Sequence, residues 1–101
     1  MGQTYKDRFN KKFNQPKDTS NSKSKMVRLT GIPKSVLDES FDRGVGAFKN
    51  PGPSRPNMTK ESWAFGRLYA FIMKSYDAVK KGKDKINQDN DLFQKIKNKL
   101  K

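Results

Sequence analysis

Apolar residues are concentrated in the middle of the chain, where they recur at the spacing of α-helices. The densest run covers residues 60–79, and its apolar positions occupy more than one stripe of a helix, a pattern typical of a helix buried on several sides. A second helix is expected to begin at Pro33 and to end near Gly44, because proline suits a first helical turn and glycine a left-handed helix end. A further helix is expected from about Asp89. No alternating strand pattern is present, so the sequence predicts a mostly α domain of about three helices.

Two segments outside these helices have compositions that predict irregular structure. Residues 45–58 contain three of the five prolines together with Gly46 and Gly52, which predicts a long central loop. Residues 1–25 are rich in Lys, Asn, Gln and Ser, and such a composition buries too little apolar surface to offset the entropy of ordering. We therefore expect residues 1–25 to be a disordered basic arm and residues 26–101 to be a small helical domain with a Lys-rich C-terminal helix.

Three aromatic residues stand out within the polar N-terminal segment. Tyr5, Phe9 and Phe13 are spaced by four residues, which would place their rings on one side of a helix. One interpretation is that three rings in a disordered arm have no role. The other is that the arm orders only when these rings dock against a partner protein.

The charge balance and the missing residue types restrict the chemistry that the chain can perform. The 101 residues include 23 Lys and Arg against 10 Asp and Glu, a net charge of +13, with no Cys and no His. Without these two residue types the chain lacks the usual general base, the thiol nucleophile and the soft metal ligands. A hydroxyl such as that of Ser54 or Ser62 has no neighbouring base to activate it. We therefore expect a protein that is not an enzyme and that uses no metal and no other cofactor.

The hydropathy of the chain bears on membrane insertion and export. No run approaches the roughly 18 apolar residues of a membrane helix. The first residues are polar and basic, without the apolar stretch of a secretory signal. The sequence therefore predicts neither a membrane span nor secretion by a signal peptide.

The middle of the chain carries a motif in addition to its helical pattern. The string RGVGAFKNPGPSRPNMTKESWAFGRLYAF resembles a small domain family of tailed phages and large DNA viruses, with the pattern R-G-x-G-A, then S-R-P, then T-x-x-x-W-A-x-x-R-x-x-x-F. The resemblance covers less than half of the chain. It implies a viral protein located in the virion or inside the host cell, and it implies no catalytic residues. The matching residues are Arg43, Gly44, Gly46, Ala47, Ser54, Arg55, Pro56, Thr59, Trp63, Ala64, Arg67 and Phe71.

One basic residue of the motif, Arg67, lies among the apolar positions of the longest predicted helix. A charged side chain is almost never buried without a partner, and two interpretations follow. Arg67 forms an ion pair with Glu39 or Asp42 of the preceding helix. Alternatively, Arg43, Arg55 and Arg67 converge on one anionic group such as a phosphate. The planar fork of arginine suits either role.

The positive charge of the chain predicts attraction to phosphates. Most of it lies in the two ends of the chain, and such a surface releases counterions when it contacts nucleic acid. Trp63, Tyr69 and Tyr76 would stack on bases if exposed and would belong to the core if not. No helix-turn-helix, zinc or basic-zipper motif is present, so we expect binding without sequence preference. The residues expected to bind nucleic acid or another anion are Arg43, Lys49, Arg55, Arg67, Lys80, Lys81 and Lys83.

Two functional hypotheses follow from these patterns. The first is a small basic viral or phage protein, not an enzyme, that binds nucleic acid without sequence specificity in association with the virion. The alternative is a minor capsid or tail structural protein, a cement protein, whose arms bridge viral structural subunits. The hypotheses differ in the N-terminal arm, because nucleic-acid binding needs only its charge whereas subunit bridging needs Tyr5, Phe9 and Phe13 as anchors.

Overall fold

The structure is a computed structural model that describes residues 4–16, 19–47 and 60–100. Within these ranges all regular secondary structure is helical, which confirms the mostly α prediction. The described residues form five α-helices rather than about three, because two short helices precede those that the sequence predicts. The helices are α1 (Tyr5–Lys12), α2 (Lys23–Thr30), α3 (Lys34–Ala47), α4 (Lys60–Lys80) and α5 (Asn90–Ile96), followed by a 3-10 turn at Lys97–Lys99.

The long helix α4 lies at the centre of the fold, as its apolar pattern predicts. Leu68 and Ile72 of this helix are fully buried, and both α1 and α3 pack against it. α2 packs against α3, α5 packs against α3, and the 3-10 turn packs against α4. Leu92 and Phe93 of α5 complete the core. Each of the four shorter helices thus buries one apolar face, α1 and α3 directly against α4 and α2 and α5 against α3.

A close approach between α3 and α4 involves Gly44, a residue that was expected to end α3. α3 runs through Gly44 and ends at Ala47, so the expected helix end is wrong and residues 45–47 are not part of a loop. A Cβ atom at position 44 would lie 2.9 Å from the Cα of Ala64. Gly44 therefore allows the two helices to approach closely. Residues 48–58 of the expected central loop lie outside the described residues.

The described N-terminal residues are ordered, which corrects the expectation of a disordered arm over this part of the chain. The N–H of Asp7 donates to Thr4 Oγ1 at 3.1 Å, and the N–H of Thr4 donates to Asp7 Oδ2 at 3.3 Å. This capping box satisfies two donors at the start of α1. Phe9 is fully buried in the core. The average composition of residues 1–25 predicted disorder, but the cap and the buried Phe9 ring are among the contacts that attach this segment to α4.

A buried network of amide side chains fixes the chain between α1 and α2. Asn21 Nδ2 donates to Asn10 Oδ1 and to the Tyr69 hydroxyl, both at 2.9 Å. Gln15 Nε2 donates to Asn10 Oδ1 at 3.1 Å and to Asn21 Oδ1 at 2.8 Å. Burial raises the pKa of the Tyr69 hydroxyl. Because buried amides are costly unless they are hydrogen-bonded, this network specifies how the end of α1 sits on α4.

The end of α4 and the start of α5 follow the sequence closely. Gly82 adopts a φ of +73°, its N–H donates to the Val79 carbonyl at 3.1 Å, and the N–H of Lys83 donates to the Ala78 carbonyl at 2.8 Å. These two bonds are those of a Schellman motif, which favours glycine at this position. α5 begins at Asn90, which confirms the expected start near Asp89.

Candidate nucleic-acid interface

Basic side chains from separate parts of the chain surround the C-terminal end of α4. A cavity of about 720 Å³ lies between α1, α4 and the residues that follow the 3-10 turn. A second cavity of about 230 Å³ lies between α4 and the loop after it, and Asp77 lines both cavities. We call the surface around the two cavities the basic face. Its cationic residues are Arg8, Lys12, Lys74, Lys80, Lys81, Lys83 and Lys85.

The basic face carries little compensating negative charge. Among the described residues, Asp77 is the only acidic residue that lines either cavity, and its carboxylate lies 3.4 Å from Lys81 Nζ. The other six cations of the face make no ion pair within the described ranges. Six cations without a carboxylate partner produce a positive potential that attracts anions such as phosphates.

Aromatic contacts between α1 and α4 hold two of these cations at the rim of the larger cavity. Phe9 and Phe13 pack edge-on against tyrosines of α4, with ring centroids 5.3 and 6.2 Å apart. Arg8 and Lys12 are four residues apart and therefore lie on one side of α1. Lys12 Nζ lies 4.4 Å from the centroid of the Tyr76 ring, which adds a cation–π contact. The position of α1 thus decides where Arg8 and Lys12 present their charge.

The rings expected to dock a partner protein contact the protein's own core, which corrects that prediction. Phe9 is fully buried, and Tyr5 and Phe13 are half-buried at the edge of the same core. Their spacing by four does place them on one side of a helix, but the surface that they cover is α4. Tyr69 also belongs to the core, whereas Tyr76 is half-buried beside the larger cavity.

Three residues that the sequence proposed for anion binding belong to the basic face. Lys80, Lys81 and Lys83 are exposed and line one or the other cavity. The Schellman turn at Gly82 turns the chain back over the end of α4, so Lys83 stays close to the helix. Cations at this position also complement the negative end of the helix dipole. Lys81 also pairs with Asp77, whereas Lys80 and Lys83 make no ion pair among the described residues.

Arg43 was also expected to bind anions, but carboxylates of its own chain occupy it. Its Nη1 donates to Asp89 Oδ1 at 3.0 Å and its Nη2 donates to Asp91 Oδ2 at 2.7 Å. Its Nε donates to Glu39 Oε2 at 3.3 Å. The Arg43 guanidinium lowers the pKa of the Asp91 carboxyl to about 2, and hydrogen bonds to Asp91 and Asp89 raise the pKa of Arg43. Arg43 therefore fastens the start of α5 to α3, which corrects its interpretation as a free anion-binding residue.

Arg67 makes no ion pair among the described residues, so its predicted pairing with Glu39 or Asp42 is wrong. Its side chain is half-buried, and its Nε has no hydrogen-bond partner within the described part of the chain. Two of the three acidic residues of α3 are engaged elsewhere: Glu39 pairs with Arg43, and Asp38 lies 3.0 Å from Lys23 Nζ and 2.8 Å from Lys34 Nζ. These two lysines lower the pKa of the Asp38 carboxyl.

The remaining two residues proposed for anion binding, Lys49 and Arg55, lie outside the described residues. Because Arg55 is one of the three arginines expected to converge on an anion, that convergence also lies outside the described residues. Arg43 and Arg67 are absent from the residues that line the basic face. Among the described residues, the candidate site therefore lies at the C-terminal end of α4 and not at the central motif.

Four residues of the basic face were not expected from the sequence. Arg8 and Lys12 had a local signal, since two cations four residues apart share one side of a helix, but their segment was expected to be disordered. Lys74 lies within the apolar pattern of α4, and Lys85 lies in the loop after it. No spacing rule links these four residues. Arg8 and Lys12 join the face when α1 packs on α4, and Lys85 joins Lys74 because the loop after α4 lies beside that helix.

The described residues contain neither a helix that is long and apolar enough to cross a membrane nor a group of three acidic residues close enough to hold a metal ion.

Comparison with known proteins places the chain in a family without assigning it an activity. No curated protein and no solved structure matches the chain. One family does match, over residues 1–96, and it is described as a family of unknown function (DUF5824). This match includes all seven cations of the basic face, whereas Leu100, which also lines the larger cavity, lies beyond it. The chain therefore belongs to the DUF5824 family.

Proposed function

We propose that this protein is a small basic viral or phage protein, without catalytic activity, that binds nucleic acid without sequence specificity in association with the virion. The observation that supports the proposal is the basic face, where cations of α1, α4 and the following loop surround two adjoining cavities. Folding brings these charges together although all but Lys81 lack an ion-pair partner among the described residues. A phosphate backbone supplies closely spaced negative charges and relieves this repulsion.

The types of cation on the basic face favour binding without sequence preference. Six of its seven cations are lysines and one is Arg8. Lysine contacts phosphates as a point charge, whereas specific readout of guanine depends mostly on a bidentate cation held in the major groove. Phosphate contacts fix the position of a protein on nucleic acid but carry no sequence information. The face therefore supports affinity rather than base recognition.

The viral part of the proposal rests on the motif of residues 43–71, which resembles domains of tailed phages and large DNA viruses. The alternative, a cement protein that bridges capsid or tail subunits, depended on Tyr5, Phe9 and Phe13 as anchors for a partner. These rings cover α4 instead. Among the described residues, that alternative therefore loses the feature that distinguished it.

The proposal is tested by measuring binding of the full chain to duplexes of unrelated sequence over a range of salt concentrations. If the face contacts about six phosphates, affinity falls roughly a thousandfold between about 50 and 200 mM salt, and it falls equally for every sequence. The triple variant Lys80→Gln, Lys83→Gln, Lys85→Gln should weaken binding and reduce the slope of log affinity against log salt by about three.

The control is a second triple variant with the same loss of charge. Arg28→Gln, Lys60→Gln, Lys95→Gln removes three exposed cations that line neither cavity. It should keep most of the affinity and the salt slope of the unmodified protein. Equal losses in the two triple variants would show that net charge alone attracts nucleic acid. Absence of binding at low salt would refute the proposal itself.

A further inference from the structure

The larger cavity of the basic face has an apolar floor that phosphate binding does not explain. Met73, Tyr76, Val79 and Leu100 line this cavity, and each is half-buried against the core. We call these four residues the apolar groove. These apolar side chains contribute nothing to a contact with phosphates alone. Their partial exposure to water is unfavourable, because burial of apolar surface stabilises a protein or a complex. Apolar residues grouped at one surface site are typical of a contact surface.

Cations stand at the rim of the apolar groove. Arg8, Lys12 and Lys80 line the same cavity of about 720 Å³. The Lys12 ammonium covers the Tyr76 ring, so the apolar surface left for a ligand comes chiefly from the other three groove residues. The volume lies within the range of sites that hold small organic groups. A ligand that contacts both the cations and the apolar residues of this cavity therefore carries negative charge directly beside an apolar group.

We propose that the apolar groove takes unpaired bases of a single-stranded nucleic acid, while the flanking phosphates contact the surrounding cations. This inference rests on the proposed function. In a duplex the base faces are stacked inside, and a surface site meets mainly phosphates and sugars. A single strand presents its base faces, which stack on aromatic side chains regardless of sequence and gain the free energy of burial against aliphatic ones. The groove therefore distinguishes single strands from duplexes without reading a sequence.

The extent of the positive charge favours a polyanion over smaller anionic ligands. The cations continue from the groove into the second cavity, where Lys74, Lys83 and Lys85 are found. A strand that places a base in the groove has further phosphates for these lysines. The headgroup of one anionic lipid occupies a single position, and an acidic amphipathic helix presents its charges beside one face only. A nucleic-acid strand, with one phosphate per nucleotide, supplies negative charges for the cations of both cavities.

The first test uses the unmodified full chain and three probes. A 20-nucleotide oligo(dT) strand is compared with an abasic strand of the same length and with a dT·dA duplex, by fluorescence anisotropy at fixed salt. The abasic strand keeps the phosphates and lacks the bases. We expect oligo(dT) to bind about fivefold or more tighter than the abasic strand, since stacking of a single base contributes at least roughly that factor. An RNA strand of matching sequence should bind similarly, because the groove contacts bases rather than sugars.

The second test changes the groove without changing its charge. Met73→Gln should bring the affinity for oligo(dT) close to that of the abasic strand and leave duplex binding unchanged. Leu100→Gln, which lies after the last helix, should act in the same direction with less risk to folding. Leu29→Gln is the control, because Leu29 is equally half-buried but lines neither cavity of the basic face.

The outcomes separate this inference from the proposed function. If all three probes bind equally and the lysine variants weaken all of them, the groove takes no bases and only this inference is overturned. If no probe binds at low salt, both proposals fail. If vesicles with anionic lipid or an acidic amphipathic peptide lose affinity for Met73→Gln while oligo(dT) does not, the groove belongs to that partner and the inference is equally overturned.

Discussion

Gly44 of α3 and Ala64 of α4 meet so closely that position 44 has no room for a Cβ atom unless a helix moves. A Cβ atom at position 44 would lie 2.9 Å from the Cα and 3.2 Å from the Cβ of Ala64. Gly44 is buried and keeps helical backbone, since its φ is not positive. The glycine therefore serves a helix crossing rather than a turn.

Gly44→Ala should destabilise the protein by about 1–3 kcal/mol, because the added methyl group has no space and the helices must separate. Gly66→Ala is the matched control within a helix, where a Cβ atom meets nothing within 4 Å. It should stabilise the protein by about 0.5–1 kcal/mol through the helix propensity of alanine. Urea unfolding of both variants checks the pair. Equal effects of the same sign would contradict the close contact.

The ion pair between Arg43 and Asp91 should make stability fall in acid. The pKa of Asp91 is lowered from 3.8 to about 2 in the folded protein, so the unfolded chain takes up the proton first as the pH falls. The stabilisation is fully present above about pH 4 and is lost as the pH falls through the folded value. Thermal melts between about pH 5 and 2 should show this loss.

Arg43→Gln should lower the melting temperature near neutral pH and flatten the acid dependence. Part of that dependence should remain, because the pKa of Asp38 is also lowered, by Lys34 and Lys23. Arg28→Gln is the control, since Arg28 is exposed and makes no ion pair among the described residues. An Arg43→Gln protein with the acid dependence of the unmodified chain would argue against the ion pair.

Removal of Asn21 should be more damaging than removal of the hydroxyl that it contacts. Asn21→Ala leaves Asn10, Gln15 and the Tyr69 hydroxyl with fewer partners in a buried site, which should cost about 2–3 kcal/mol. Tyr69→Phe removes one acceptor, and Asn21 keeps its bonds to Asn10 and to the Thr19 carbonyl, so about 1 kcal/mol is expected. Denaturant melts of the two variants give the order, and the reverse order would contradict the network.

Tyr69 should also make stability fall in alkali. Burial raises the pKa of its hydroxyl above the ordinary 10.0, so the unfolded chain ionises first. The stabilisation is present below about pH 10 and is lost as the pH rises further. Tyr69→Phe should reduce this loss without abolishing it, because burial raises the pKa of Tyr76 as well. Melts between about pH 8 and 11 measure the difference.

Phe9→Ala should destabilise the whole fold by about 3–5 kcal/mol, because it empties a fully buried site in the core. Phe13→Ala, at a half-buried position on the same helix, should cost clearly less. The loss should appear as a lower melting temperature of a single transition rather than as fraying of α1 alone. Unchanged stability of Phe9→Ala would restore the expectation of a disordered N-terminal arm.

The helices that could be predicted from the sequence are those whose signals are local. The apolar run of α4, the glycine turn after Val79 and the charged start of α5 each act within a few residues, where backbone geometry and side-chain spacing decide the structure. Such features hold whichever elements pack against them. For that reason the mostly α character, the bounds of α4 and the start of α5 could be predicted correctly.

Only the tertiary structure decided which side chains meet. Composition favoured disorder near Phe9, but the burial of its ring against α4 outweighed that average. The sequence left open whether Arg67 forms an ion pair, and it proposed Arg43 for anion binding. Among the described residues Arg43 is the one that is paired, because the start of α5 brings carboxylates to α3. The basic face likewise needs Arg8 and the end of α4 to come together. Contacts between residues far apart in the chain depend on how helices pack, and no local spacing encodes that choice.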